Sequence, residues 1–173
     1  LRNFVSLVNP LSIDQSVMRT SLIPGVAGAA RTNISRGEQE LKLFELGKIF
    51  TPSDDDLPLE TTMVSGLMTG IYHRKEWYGN EKPIDFYHVK GVVQTLLEGI
   101  HVDNTVFTEG HDSPWYDKEG PVPRISAGNE VLGFVGKAAR TVTEFCRSKD
   151  GGEVYLFELY AAPLLHWWGR PPL

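Results

Sequence analysis

The residues best placed to do chemistry in this 173-residue chain are five histidines, a single cysteine and a run of three aspartates, and their spacing matches no known reactive pattern. His73, His88, His101, His111 and His166 are scattered, without the short fixed intervals at which His and Cys hold zinc. No phosphate-cradling glycine loop, dinucleotide fingerprint, nucleophile elbow or paired-histidine metalloprotease helix is present. A Ser–His–Asp hydrolase stays open, because triad members meet only in space, but nothing in the sequence speaks for it. Asp54, Asp55 and Asp56 stand between Pro52 and Pro58 and read as a solvated loop tip; a divalent cation there would need ligands arriving from elsewhere.

Three further positions carry a plain and a sharper reading. Arg19 lies between apolar neighbours and reads as the partner of a carboxylate such as Glu45, which sits mid-strand and needs one if buried; contact with a ligand or partner is the alternative. Lys90 and Gly91, on or beside a long helix, read as a solvated head group and a close-packing point rather than a site. Cys146 reads as a small packing residue. As a lone free thiol it fits a reducing compartment, the cytoplasm.

These residues need elements to position them. Phe4 to Val8 reads as a strand stopped by Asn9-Pro10. Ser21 and Pro24 frame a helix start, since a hydroxyl caps orphan amides and proline in the first turn sacrifices no hydrogen bond. That helix should run to Arg36 and stop at Gly37, with a small inner face of Val26, Ala27, Ala30 and Ile34 suited to a flat sheet. From Glu40 to Phe50 both faces are apolar, which predicts a central strand covered on both sides. Thr61 to Ile71 predicts its antiparallel partner. Asp85 is a natural N-cap for a helix whose stripe is Phe86, Val89, Val92, Val93, Leu96, Leu97 and Ile100; burying all seven would contribute about 10–20 kcal/mol. Short strands at Thr105 to Phe107, Arg124 to Ala127, Val131 to Val135 and Val154 to Leu159, and a helix at Thr141 to Arg147, complete the chain. Clustered strands without regular strand–helix alternation predict an α+β domain, its mostly antiparallel sheet flanked by helices.

Composition supports an ordinary globular domain, 41% hydrophobic and 23% charged, long enough to build a core without a disulfide or metal clip. The 17 basic and 22 acidic residues leave a net charge of −5, which disfavours a domain whose main task is gripping phosphates. No apolar run approaches the roughly 18–20 residues of a membrane span, so a soluble protein is expected. The chain starts at Leu1 and ends on Trp167-Trp168-Gly169-Arg170-Pro171-Pro172-Leu173. It reads as one domain, residues 1–173, cut from a longer protein, with residues 166–173 beginning a linker.

Two blocks carry more specific information. The first is Asn9-Pro10-Leu11-Ser12, then Ser16-Val17-Met18-Arg19-Thr20-Ser21-Leu22-Ile23-Pro24-Gly25, then Leu43-Phe44-Glu45-Leu46-Gly47-Lys48-Ile49-Phe50. The second is Asp85-Phe86-Tyr87-His88-Val89-Lys90-Gly91-Val92-Val93. In this order and spacing the chain resembles the beta subunits of bacterial phenylalanyl-tRNA synthetases, within their class II synthetase-like domain that has lost catalysis. The landmarks carried over are Asn9, Pro10, Arg19, Thr20, Ser21, Pro24, Phe44, Glu45, Gly47, Asp85, Phe86, Lys90 and Gly91, as structural or interface positions with no catalytic residue and no metal ligand. The chain departs from the family pattern at 117–127 and 136–140, so contacts through those loops are not carried over.

The resemblance implies a class II synthetase-like fold and a supporting role beside an alpha subunit, which carries the ATP- and Mg²⁺-dependent ligation of phenylalanine to its tRNA. No cofactor is implied for this chain by itself, and tRNA would be held by other domains. Class II catalysis needs an arginine on the ATP α-phosphate; aligned by resemblance, Thr51 stands in its place, and Leu159 to Leu165 shows neither the glycine-rich turn nor the arginine of the third class II motif. The first motif would precede Leu1. The competing expectation is a self-contained small ligase on the same fold, and a third is a direct tRNA-binding module.

Overall fold

The first regular element of the computed structural model is helix α1 (Ile23–Ser35), followed by strands β1 (Leu41–Thr51) and β2 (Leu59–Thr69). Residues 4–13, 16–54, 57–73, 77, 80–110, 113–120, 122–146 and 152–168 are described. After β2 come the short strands β3 (Ile71–His73) and β4 (Lys82–Pro83), then helix α2 (Phe86–Gly99). Strands β5 (Thr105–Thr108), β6 (Arg124–Ala127) and β7 (Glu130–Lys137) follow, then helix α3 (Arg140–Cys146), strand β8 (Val154–Tyr160) and helix α4 (Ala161–Trp168). Six strands form one antiparallel sheet in the order β1-β2-β8-β7-β6-β5, and β3 and β4 pair separately. The expected α+β class with a mostly antiparallel sheet is what is observed.

Each face of the sheet buries its own core. On one, α1 and α3 cover Leu41, Leu67, Val154 and Leu156, with Tyr116 and Val122 from the segment before β6. On the other, α2 and α4 cover Met68, Val135, Tyr155, Phe157 and Leu159. Helix α1 ends as its sequence predicts: Gly37 has φ +101°, its N–H donates to Ile34 O and that of Glu38 to Asn33 O, the paired bonds of a left-handed glycine stop. Asp85 caps α2, its carboxylate accepting from His88 N at 3.0 Å while His88 Nδ1 accepts from Asp85 N at 3.1 Å. This reciprocal arrangement satisfies two otherwise unpaired amides.

Several expectations change. β1 is an edge strand, not a central one, because β8, the last strand in sequence, enters the sheet between β2 and β7. Phe44 and Leu46 are consequently exposed on one face. β2 does not continue to Ile71: Gly70 turns the chain with φ +92°, and a Cβ there would lie 2.3 Å from Gln39 O. The opening strand reduces to one bridge, Ser6 to Val17, held by Leu7 N to Ser16 O and Met18 N to Val5 O. Of the seven stripe residues on α2, only Val89, Val93 and Leu97 are fully buried, which lowers the contribution to about 5–9 kcal/mol. Val92 and Leu96 are exposed. Residues 166–168 form the last turn of α4. Asp55, Asp56, His111 and Arg147 lie outside the described residues.

Candidate functional site

Antiparallel register sets Glu45 of β1 opposite Ser65 of β2, and Ser65 opposite Glu158 of β8. Residues directly across adjacent strands project to the same face, here the face under α1. A row of carboxylate, hydroxyl and carboxylate therefore crosses the first three strands of the sheet.

The spacing of the first sequence block is explained by what packs onto this row. Arg19 Nη1 donates to Glu45 Oε1 at 2.6 Å, and its Nε donates to Lys48 O at 2.7 Å. The guanidinium lies across β1 because Gly47 has no side chain; a Cβ there would stand 2.4 Å from Arg19 Nη2 and 3.3 Å from Leu22 Cδ2. Phe50 N donates to Arg19 O at 2.8 Å, so the same residue also closes part of the free edge of β1. Gly25 keeps the start of α1 close, since a Cβ on it would be 3.1 Å from Glu45 Oε2.

Glu158 does for α1 what no local cap does. Leu22 is the N-cap and makes no side-chain cap bond. Instead Glu158 Oε1 accepts from Ser21 Oγ at 2.8 Å and from Leu22 N at 3.1 Å, while Ser21 Oγ accepts from Ile23 N at 3.1 Å. A carboxylate 136 residues away thus satisfies amides that a helix start leaves orphaned, and its charge sits where the helix dipole favours an anion. Pro24 follows in the first turn, where a missing N–H costs nothing.

Among the described residues two buried hydroxyls, Ser65 Oγ in this row and Tyr116 Oη beside it, have no hydrogen-bond partner. Burial pushes the Tyr116 phenol well above its ordinary value, and the nearby Glu158 and Tyr160 push it the same way. The Tyr160 phenol is also raised, by burial first and then by Glu158. What the arrangement does chemically is brace: it ties β1, β8 and the start of α1 together through paired and capped charges.

The second sequence block is on the opposite face. Asp85, Phe86, Lys90 and Gly91 belong to the start of α2 and its cap, and Lys90 Nζ stands 4.7 Å from the centre of the Phe107 ring. Gly91 is not a close-packing point, since a Cβ on it would meet open space. Phe44, from the first block, also faces this side, whereas Thr20 is half-buried next to Ser21, and Asn9 and Pro10 are exposed in the bend of the N-terminal arm. The landmarks therefore divide between the two faces and do not converge on one site. Sequence reading missed Glu158, Ser65 and Tyr116, whose roles depend on strand register. It also missed an apolar groove of about 660 Å³ on the α2/α4 face, between β1, β2 and the two helices, lined by Phe44, Leu46, Val92, Leu96, Leu165 and Trp168 among others.

An antiparallel six-stranded sheet with this helix placement is the fold of the class II aminoacyl-tRNA synthetases. The crystal structure of pyrrolysyl-tRNA synthetase from Desulfitobacterium hafniense matches it with a TM-score of 0.65 over 94% of this chain and 52% of that one, at 14% identity, a likeness of fold alone. Within that class the phenylalanyl tRNA synthetase beta chain CLM domain model matches residues 1–161, and the chain belongs to that family. It is 38% identical over 137 residues to the phenylalanine–tRNA ligase beta subunit of Carboxydothermus hydrogenoformans, covering 79% of this chain and 17% of that protein. The Bacillus subtilis beta subunit is 32% identical over 161 residues, covering 92% of this chain and 19% of that protein. The chain thus spans under a fifth of the length of these curated relatives.

Proposed function

We propose that this domain is a structural, catalytically inactive member of its fold, supporting the alpha subunit of a phenylalanine–tRNA ligase within an assembly of two alpha and two beta chains in the cytoplasm. The observation that carries this reading is the occupancy of the α1 face. A class II active site presents fixed cations to a triphosphate. Here the face presents Glu45 and Glu158, and the guanidinium of Arg19 is already paired with Glu45 and the Lys48 carbonyl. With Arg19 engaged, the row of Glu45, Ser65 and Glu158 offers a triphosphate no free cation.

In this reading the ATP and Mg²⁺ of the whole ligase are not held by this chain. Among the described residues no three His, Cys, Asp or Glu side chains converge on a metal position, and Thr51, where the family resemblance places the phosphate-binding arginine, carries no charge. Both belong with the alpha subunit in this reading, and the tRNA with other domains of the beta chain. Among the described residues no helix is long and apolar enough to cross a membrane.

Incubating the chain with ATP, phenylalanine and labelled pyrophosphate tests the proposal. No exchange above background is expected; exchange that disappears in an Arg19→Ala variant would instead establish a self-contained ligase.

A further inference from the structure

We propose that the face under α1 contains a buried site for one ordered water molecule, bound by Ser65 Oγ, Tyr116 Oη and the Glu158 carboxylate. Strand register makes the place. Ser65 stands between Glu45 and Glu158 in the row that crosses β1, β2 and β8, and it has the shortest side chain of the three. It is fully buried, Tyr116 is 2% exposed, and among the described residues neither hydroxyl has a hydrogen-bond partner. Tyr116 enters from the segment before β6 and is held there by main-chain contacts: its own bridge to Ala138, Asp117 N to Lys137 O at 2.9 Å and Ala139 N to Trp115 O at 2.8 Å. The ring is therefore not free to swing its hydroxyl out to solvent. Its phenol is raised by burial first and next by Glu158, so the hydroxyl lies within electrostatic reach of the carboxylate that stands opposite Ser65. Both hydroxyls border the same group.

Water is the ligand whose chemistry matches these groups. A hydroxyl buried without a hydrogen bond is costly, and folded interiors keep few of them; a buried water typically makes about three bonds to such groups. Ser65 and Tyr116 can both donate to one oxygen, and that water can donate in turn to Glu158. The carboxylate has the capacity, since it offers about four acceptor sites and the Ser21 hydroxyl and Leu22 amide use two of them, both on Oε1. A cation fits worse, beside the positive end of the α1 dipole and among described residues that bring no three His, Cys, Asp or Glu together. The water would extend the hold of Glu158 from the start of α1 to β2 and to the segment before β6. The inference uses none of the argument about catalysis, so pyrophosphate exchange by the chain would overturn the scaffolding role and leave this site standing.

A high-resolution crystal structure of the 173-residue chain tests the site directly. One water is expected within about 2.6–3.2 Å of Ser65 Oγ, Tyr116 Oη and a Glu158 carboxylate oxygen. A direct bond between the two hydroxyls, a main-chain carbonyl as partner of either one, or a metal ion at the position would overturn the proposal. Ser65→Ala tests it in solution through the sign of its effect. Removing one of three partners of a bound water should lower the urea midpoint, with the folded-to-unfolded ratio falling about three- to ten-fold, and relaxation dispersion of labelled water should report one fewer long-lived internal water in the variant. Deleting a hydroxyl that bonds nothing would instead relieve a cost, so an unchanged or raised midpoint would sink the idea.

Discussion

The two faces of the sheet solve the same packing problem differently. Under α1 the centre of the sheet is polar, and its two carboxylates are engaged by residues from far along the chain, Arg19 with Glu45, and Ser21 and Leu22 with Glu158. Under α2 and α4 it is apolar almost throughout, yet part of it is left open. A carboxylate in such a centre is tolerable only when paired, because an unpaired buried charge costs several kcal/mol. An apolar face left open costs far less and can be covered by something else. One face is thus closed by long-range polar contacts, and the other is left partly open.

Substitutions at matched positions should separate the faces. Leu156→Ala, in the closed core, is expected to destabilise by about 2–5 kcal/mol in urea unfolding, the largest effect proposed. Glu158→Ala follows at about 1–3 kcal/mol, since it orphans Leu22 N and Ser21 Oγ together. Glu45→Ala should cost no more than about 1 kcal/mol, because its ion pair with Arg19 is partly exposed. If Glu45 proves as costly as Glu158, bracing across β1 and not capping of α1 is what holds this face. Phe44→Ala, on the open face, should stay within about 0.5 kcal/mol; a larger loss would mean that the groove is closed in solution.

Alkaline pH offers a finer probe of the closed face. The Cys146 thiol, which donates to Ala27 O, is pushed up to about 11 by burial, and the Tyr116 phenol is raised well above its usual range by burial, with Glu158 adding to it. Both stay neutral in the folded chain while the unfolded chain ionises, so the unfolded state binds fewer protons and stability falls as pH rises. The stabilisation is complete below the unfolded values of about 8.5 and 10 and is lost progressively above them. Urea midpoints measured from about pH 8 to about pH 11 should fall less steeply in Tyr116→Phe than in the parent. At neutral pH that variant should lose little, since the hydroxyl removed has no partner among the described residues. An equal slope in both proteins would mean that Tyr116 ionises as readily folded as unfolded.

Much of the fold was legible from local signals that need no knowledge of the rest of the chain. The Asp85 cap, the Gly37 stop and the strands at β1, β2 and β8 each follow from backbone hydrogen bonding and local side-chain pattern within about fifteen residues, and most boundaries fall within a residue or two of the expected ones. The reading of β1 as a central strand failed for a specific reason. Apolar residues on both faces of a strand are silent on what lies above them, so Phe44 and Leu46 look the same in sequence whether buried or exposed. The same ambiguity hid Val92 and Leu96 within an otherwise regular helical stripe.

The sequence by itself determined which segments are helix and strand, which ends are capped, and to which family the chain is similar, because those properties are written in neighbours along the chain. Only the tertiary structure decided that β8 sits in the middle of the sheet, that Glu158 therefore reaches the start of α1, and that β1 is left at an edge with one face open. Strand order is a long-range choice. It is set by which pairings close the most surface at once, and no residue carries that information in its own spacing.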